Sequence, residues 1–127
     1  MRKTIDIEGA LASMLAADGY DAGAPPVPAD LSAGRVQVTR TGGTRSDFVI
    51  DEHSIDFDCY GSTDAAAMGL ADALTAWACE LPGRDVGVPC YQADIVTLPY
   101  SNPDPRHPTL ARATLKARIL TRVSHTD

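Results

Sequence analysis

Several features that would fix a protein's class are scarce in this sequence. Its 127 residues include three cysteines, Cys59, Cys79 and Cys90, with no CxxC pair and no histidine close enough to complete a zinc site. That argues against a disulfide scaffold and a zinc ribbon, and the three read as small hydrophobes in a reducing compartment. No stretch nears the ~18 consecutive apolar residues of a membrane-spanning helix. Cations are outnumbered, 11 Lys plus Arg against 17 Asp plus Glu, for a formal charge of −6, so the chain lacks a global nucleic-acid footprint. Large rings are few, with one Trp, two Phe and four Tyr, so the core must come from small side chains at close approach.

The residues present suffice for one domain. A chain this long buries roughly two-thirds of its unfolded surface on folding, and 44% of its residues are hydrophobic. The start, Met1-Arg2-Lys3, has the charge of a signal n-region. Asp6 and Glu8 put charge into the next few positions, however, and the apolar run from Ala10 closes at Asp18. A helix is expected there rather than an export signal, and with it a soluble, cytoplasmically made protein.

Periodicity sets the elements. Ile7, Leu11, Met14 and Leu15 recur at helical spacing over 6–17, with Gly19 as the stop. Residues 19–34, with Pro25, Pro26 and Pro28, are expected to be a long extended connection. Residues 35–40 alternate as a strand, and Thr41-Gly42-Gly43-Thr44 is expected to turn. Asp51-Glu52-His53 is expected to be a charged turn before a strand in which Ile55, Phe57 and Cys59 alternate with Asp56, Asp58 and Tyr60. Gly61 ends it, and Ser62, Thr63 or Asp64 caps a helix whose stripe is Ala67, Leu70, Ala71, Leu74, Trp77, Ala78 and Leu81. A strand over 90–98 leads into a proline loop over 99–109. A last strand over 110–123 then puts Ala113, Leu115, Ala117 and Ile119 on one face and Arg112, Lys116, Arg118 and Arg122 on the other. The order predicts a single α+β domain, a mostly antiparallel sheet of four to five strands with two helices packed against it.

Chemistry is sparse along this frame. Asp56 and Asp58 share a strand face and, with Asp51 and His53, motivate one alternative, a small metal-dependent enzyme. The spacing matches no loop with an obligate glycine, and His53 has the opposite parity, so a solvated strand face and a charged turn is the better reading. There is no GxSxG elbow and no GxGxxG after a strand. No catalytic, cofactor-binding or metal-ligating residue is therefore assigned, and the chain is not expected to be an enzyme. The acidic stripe of Asp56 and Asp58 and the basic stripe of Arg112, Lys116, Arg118 and Arg122 are complementary. Within one chain they support neighbouring strands, and between chains they set register. The basic stripe has no interleaved aromatics for stacking on nucleic acid. The loop Asn102-Pro103-Asp104-Pro105-Arg106-His107-Pro108 is stiff by construction, which suits a preorganised recognition element and a rigid crossover equally.

Taken together, several segments resemble the tail-terminator (tail-completion, minor tail) proteins of long-tailed bacteriophages and prophages. They are the first helix, Val36-Gln37-Val38-Thr39-Arg40 before Gly42-Gly43, the strand into Asp58-Cys59-Tyr60-Gly61, and the Ala-rich helix. The most specific is Asn102-Pro103-Asp104-Pro105-Arg106-His107-Pro108-Thr109-Leu110-Ala111-Arg112 running into an alternating strand. The resemblance implies a subunit of a hexameric ring that caps the head-proximal end of the tail tube in the virion, assembled in the host cytoplasm. Its partners would be further copies of itself, the major tail-tube protein and the head-tail connector or stopper, with DNA only as cargo through the lumen and no membrane. It implies no catalytic residues. Candidate subunit contacts are Asp56, Asp58, Arg106, His107, Arg112, Lys116, Arg118 and Arg122. A neighbouring connector or stopper protein is the nearest alternative.

Overall fold

The computed structural model describes residues 2–46 and 48–125; Met1, Asp47, Thr126 and Asp127 lie outside it. In chain order the elements are β1 (Arg2–Lys3), α1 (Ile7–Ala17), β2 (Asp21–Gly23), β3 (Arg35–Ser46), β4 (Ile50–Gly61), α2 (Asp64–Cys79), β5 (Cys90–Ser101), β6 (Ala111–Arg122) and β7 (Ser124–His125). Five strands form one mixed sheet in the order β2-β3-β4-β6-β5, antiparallel except for the β2–β3 pair, and β1 and β7 pair separately. This is the α+β domain expected.

Each helix starts where a side chain satisfies a free N–H. The Asp6 carboxylate accepts from the Gly9 amide at 3.1 Å, and the Thr63 hydroxyl accepts from the Ala66 amide at 3.1 Å. Both helices cover the same sheet face. α1 buries Ile7, Leu11 and Leu15 over Val36 and Val38, and α2 buries Ala71, Leu74 and Ala78 over β4, β5 and β6. The small stripe lets α2 lie close, because a Cβ at Gly61 would collide with the Ala67 backbone. Trp77 is the large anchor. It meets Phe57 edge to face at 6.3 Å, and its indole N–H donates to Asp18 at 2.7 Å, tying the end of α1 to α2.

Among the described residues the opposite sheet face carries no helix, and Asp56, Asp58, Lys116 and Arg118 stand on it in register. Its Tyr60 end is folded over by the proline loop, which leaves Tyr60 buried although its parity is that of the aspartates.

Four sequence expectations need correction. Thr41-Gly42-Gly43-Thr44 does not turn: β3 runs on to Ser46 through a bulge between Arg40 and Gly42. Gly43, at φ 152°, is needed there because a Cβ would strike the Glu52 carbonyl oxygen. Asp51-Glu52-His53 is consequently strand, not turn; the reversal falls at Phe48 and Val49, and Asp51 and His53 are buried. The connection is not wholly irregular, since Asp21–Gly23 adds a parallel strand beside β3, pinned where the Arg35 guanidinium donates to Asp21 at 3.3 Å. Finally, β5 continues past Leu98 to Ser101 with Pro99 inside it. An outermost strand tolerates a residue without an N–H, so the true loop is 102–110.

Candidate functional site

The two charge stripes meet within the chain. Asp56 sits opposite Lys116 and the two pair at 3.0 Å. The hydrogen bond from Lys116 to Asp56 raises the lysine's pKa. Asp58 sits opposite Thr114, whose hydroxyl donates to it at 2.7 Å while accepting from the Asn102 amide at 3.1 Å. Burial pushes the Asp58 carboxyl up against that hydrogen bond. Arg118 reaches Asp94 at 2.9 Å and Glu52 at 3.6 Å, and its hydrogen bond holds Asp94 below the usual carboxylate range. Such half-exposed pairs stabilise by roughly 0.2–1 kcal/mol each. Among the described residues, the proposed contact cations without a side-chain partner are Arg106, at the loop tip, and Arg122, at the end of β6.

The densest polar constellation lies where the proline loop meets the sheet. Asp104 is its hub. The carboxylate accepts from the Tyr60 hydroxyl at 2.8 Å, from the Arg106 amide at 3.0 Å and from His107 Nδ1 at 2.9 Å, with an Arg112 nitrogen 3.7 Å away. Burial opposes ionisation, but the hydrogen bonds from His107, the Arg106 amide and Tyr60, with the Arg112 charge, outweigh it and hold Asp104 at about 2. Burial is also the main cause that pushes the Tyr60 phenol up.

Arg112 fixes the start of the loop. Its Nε–H donates to the Asn102 carbonyl at 2.6 Å, and its guanidinium lies 6.0 Å over the Tyr60 ring. His107 fixes the far side, edge-on to Tyr60 at 5.9 Å and with Nε2 3.2 Å from the Ala29 carbonyl oxygen. The hydrogen bond to Asp104 raises its pKa. Between loop and connection lies a cavity of about 300 Å³ lined by Val27, Pro28, Ala29, Arg106 and His107.

Sequence reasoning named His107 and Arg112 but missed Tyr60 and Asp104. Two signals pointed to them: Asp104 and His107 stand three apart in a proline-braced segment, and a tyrosine occupies a position whose strand neighbours on that face are aspartates.

A second network sits on the helix-covered face. His53 is fully buried on β4. The Arg40 Nε–H donates to its Nδ1 at 3.0 Å, so Nε2 carries the proton and donates to the Thr121 hydroxyl at 2.9 Å. Burial first, then the Arg40 charge, lowers its pKa to about 4. The Arg40 amide donates to Glu8 on α1 at 2.7 Å, and Arg45 grips the buried Asp51 at 2.6 Å and 3.1 Å. His53 and Asp51 therefore face away from Asp56 and Asp58. The constellation behind the metal-enzyme alternative is not assembled, and among the described residues no group of three or more His, Cys, Asp or Glu is placed to hold a metal. Cys59 and Cys90 are buried thiols, burial pushing Cys59 up to about 12, and Cys79 is exposed.

Among the described residues no helix is long and apolar enough to cross a membrane. No protein-family model matches this sequence, and no curated protein matches it either.

Proposed function

We propose that the chain is a structural, self-associating subunit of the tail-terminator kind, a ring component that caps a tail tube and presents a joining surface to the head side. The observation that carries this reading is the outermost strand. β5 exposes Val96 at 65% and Leu98 at 70%, with Tyr91 and Tyr100 also open, so one strand carries four exposed large apolar side chains; the others are Val27 in the connection and Phe48 and Val49 at the β3–β4 reversal. Clustered apolar exposure on an edge strand marks a surface covered in the working state.

The two sheet edges are finished differently. On the β3 side, β2 pairs with residues 35–37, and Glu8 occupies the outward amide of Arg40. Among the described residues β5 has no such strand beside it, yet three register irregularities and Pro99 interrupt its main chain. What β5 offers is its side chains. A contact between that strip and a different surface of the next copy is heterologous, and a heterologous contact whose rotation closes builds a ring. With the stripes engaged internally, β5, Arg106 and Arg122 are the contacts favoured over Asp56, Lys116 and Arg118.

Static light scattering on the wild-type chain and on Leu98→Glu tests the reading. The expected result is a multimer for the wild type and a monomer with an unchanged circular dichroism spectrum for the variant. A variant that assembles like the wild type overturns the role given to β5.

A further inference from the structure

The surroundings of His107 dictate its protonation state by geometry alone. Nδ1 lies 2.9 Å from the Asp104 carboxylate and Nε2 lies 3.2 Å from the Ala29 carbonyl oxygen. Both neighbours are acceptors, and neither has a proton to give. A neutral imidazole carries one N–H and leaves the other nitrogen's lone pair facing an oxygen. Only the imidazolium, with two N–H groups, satisfies both partners.

Those partners belong to different parts of the chain. Asp104 is in the loop between β5 and β6, whereas Ala29 is in the connection between β2 and β3, 78 positions before His107. His107 thus supplies a side-chain hydrogen bond across the two segments, and the cavity between them is already open on one side of its ring.

We propose that the proton on His107 is a latch: the imidazolium straps residues 27–30 to the proline loop, and its loss releases the strap while the loop itself stays in place. The loop stays because its other fastenings do not titrate with His107. Arg112 still holds the Asn102 carbonyl, and Asp104 still accepts from Tyr60 and the Arg106 amide.

The charged and titratable groups around the ring are Asp104 and Arg106 of its own loop, Tyr60 of β4, Arg112 of β6, and Asp30 beside Ala29 in the strap. Asp104 favours the imidazolium. Arg112 opposes it, but the guanidinium is itself engaged by Asp104 and the Asn102 and Pro103 carbonyls. Tyr60 faces it with a ring edge, and its hydroxyl donates to Asp104. The pKa of His107 is raised, mainly by the Asp104 hydrogen bond. The latch is therefore closed below the ordinary imidazole value of about 6.5 and opens as pH rises through the higher value of the folded chain. It is a property of the single chain and does not depend on the ring reading.

The test is an NMR titration of the wild-type chain from about pH 5.5 to 9, spanning the ordinary imidazole value, following the His107 ring resonances together with the heteronuclear NOE of the Ala29, Asp30 and Leu31 amides. The expected result is a His107 midpoint above about 6.5 and a fall in those NOE values at the same midpoint, with the Ala111 and Arg112 amides unchanged. In His107→Gln, whose side chain stays neutral, the three amides are expected to be mobile at every pH. A His107 midpoint at or below about 6.5, strap amides with no pH step, or a step that persists in His107→Gln overturns the latch. If the variant does not fold, the wild-type data decide alone: coincident midpoints support the latch, and separate ones refute it.

Discussion

His53 and His107 attach to opposite faces of one sheet, both largely shielded from water, and they are held in opposite charge states. His53 meets a donor, the Arg40 guanidinium, at Nδ1, so that nitrogen must be bare and the ring neutral. His107 meets acceptors at both nitrogens, so the ring must be charged. Desolvation disfavours the cation at either site. The polarity of the hydrogen-bond partners decides which way each goes. The neutral histidine is built into the buried face of the sheet between partners from β3 and β6, and the charged one fastens two loops on the surface. The first belongs to stability and the second to the shape the chain presents outward.

The largest effect that sharpens this contrast is expected at the buried ring. His53→Ala leaves a cavity and strands the Arg40 guanidinium and the Thr121 hydroxyl, so urea denaturation should show a loss of about 2–4 kcal/mol. The acid limb is the companion test. The unfolded chain protonates His53 near 6.5 and the folded chain near 4. As pH falls the unfolded state therefore binds the proton first, and stability drops between those values by about 3 kcal/mol, then no further on this account. Removing His53 should flatten that limb.

Asp104→Asn comes next, at about 1–3 kcal/mol, because it weakens the bonds from Tyr60, the Arg106 amide and His107 together. The same variant should lower the His107 midpoint in an NMR titration, which separates loss of the ionic partner from simple loosening. The smallest effect is expected for Lys116→Ala, roughly 0.2–1 kcal/mol, measured by thermal melting. Its half-exposed pair with Asp56 is internal, so oligomer size should not change. A large effect there would break the distinction drawn between internally paired stripes and a contact surface on β5.

Much of this was legible from periodicity. Both helices, a cap for the second among Ser62, Thr63 and Asp64, the alternation in β4 and β6, and the complementarity of the acidic and basic stripes all come from spacing; the fold selects Thr63, adds Asp6 as the first cap and sets Asp56 opposite Lys116. The misread places share one cause: a local residue preference overridden by a distant partner. Gly42-Gly43 looks like a turn, but the glycines let β3 pass close to the Glu52 carbonyl. Asp51 and His53 look solvated until Arg45, Arg40 and Thr121, brought in from β3 and β6, give them partners inside. Asp104 reads as a polar loop residue, and only the fold reveals three donors around it. The exposed apolar side chains of β5 gave no warning either, since strand-like alternation does not say which strand ends up outermost.

The central claim is that this chain works by joining copies of itself. Native mass spectrometry of the wild-type chain, alone and after incubation with purified tail tubes, tests it most directly. The predicted result is a closed hexamer, free or seated on tube ends. A strictly monomeric chain under both conditions would contradict it.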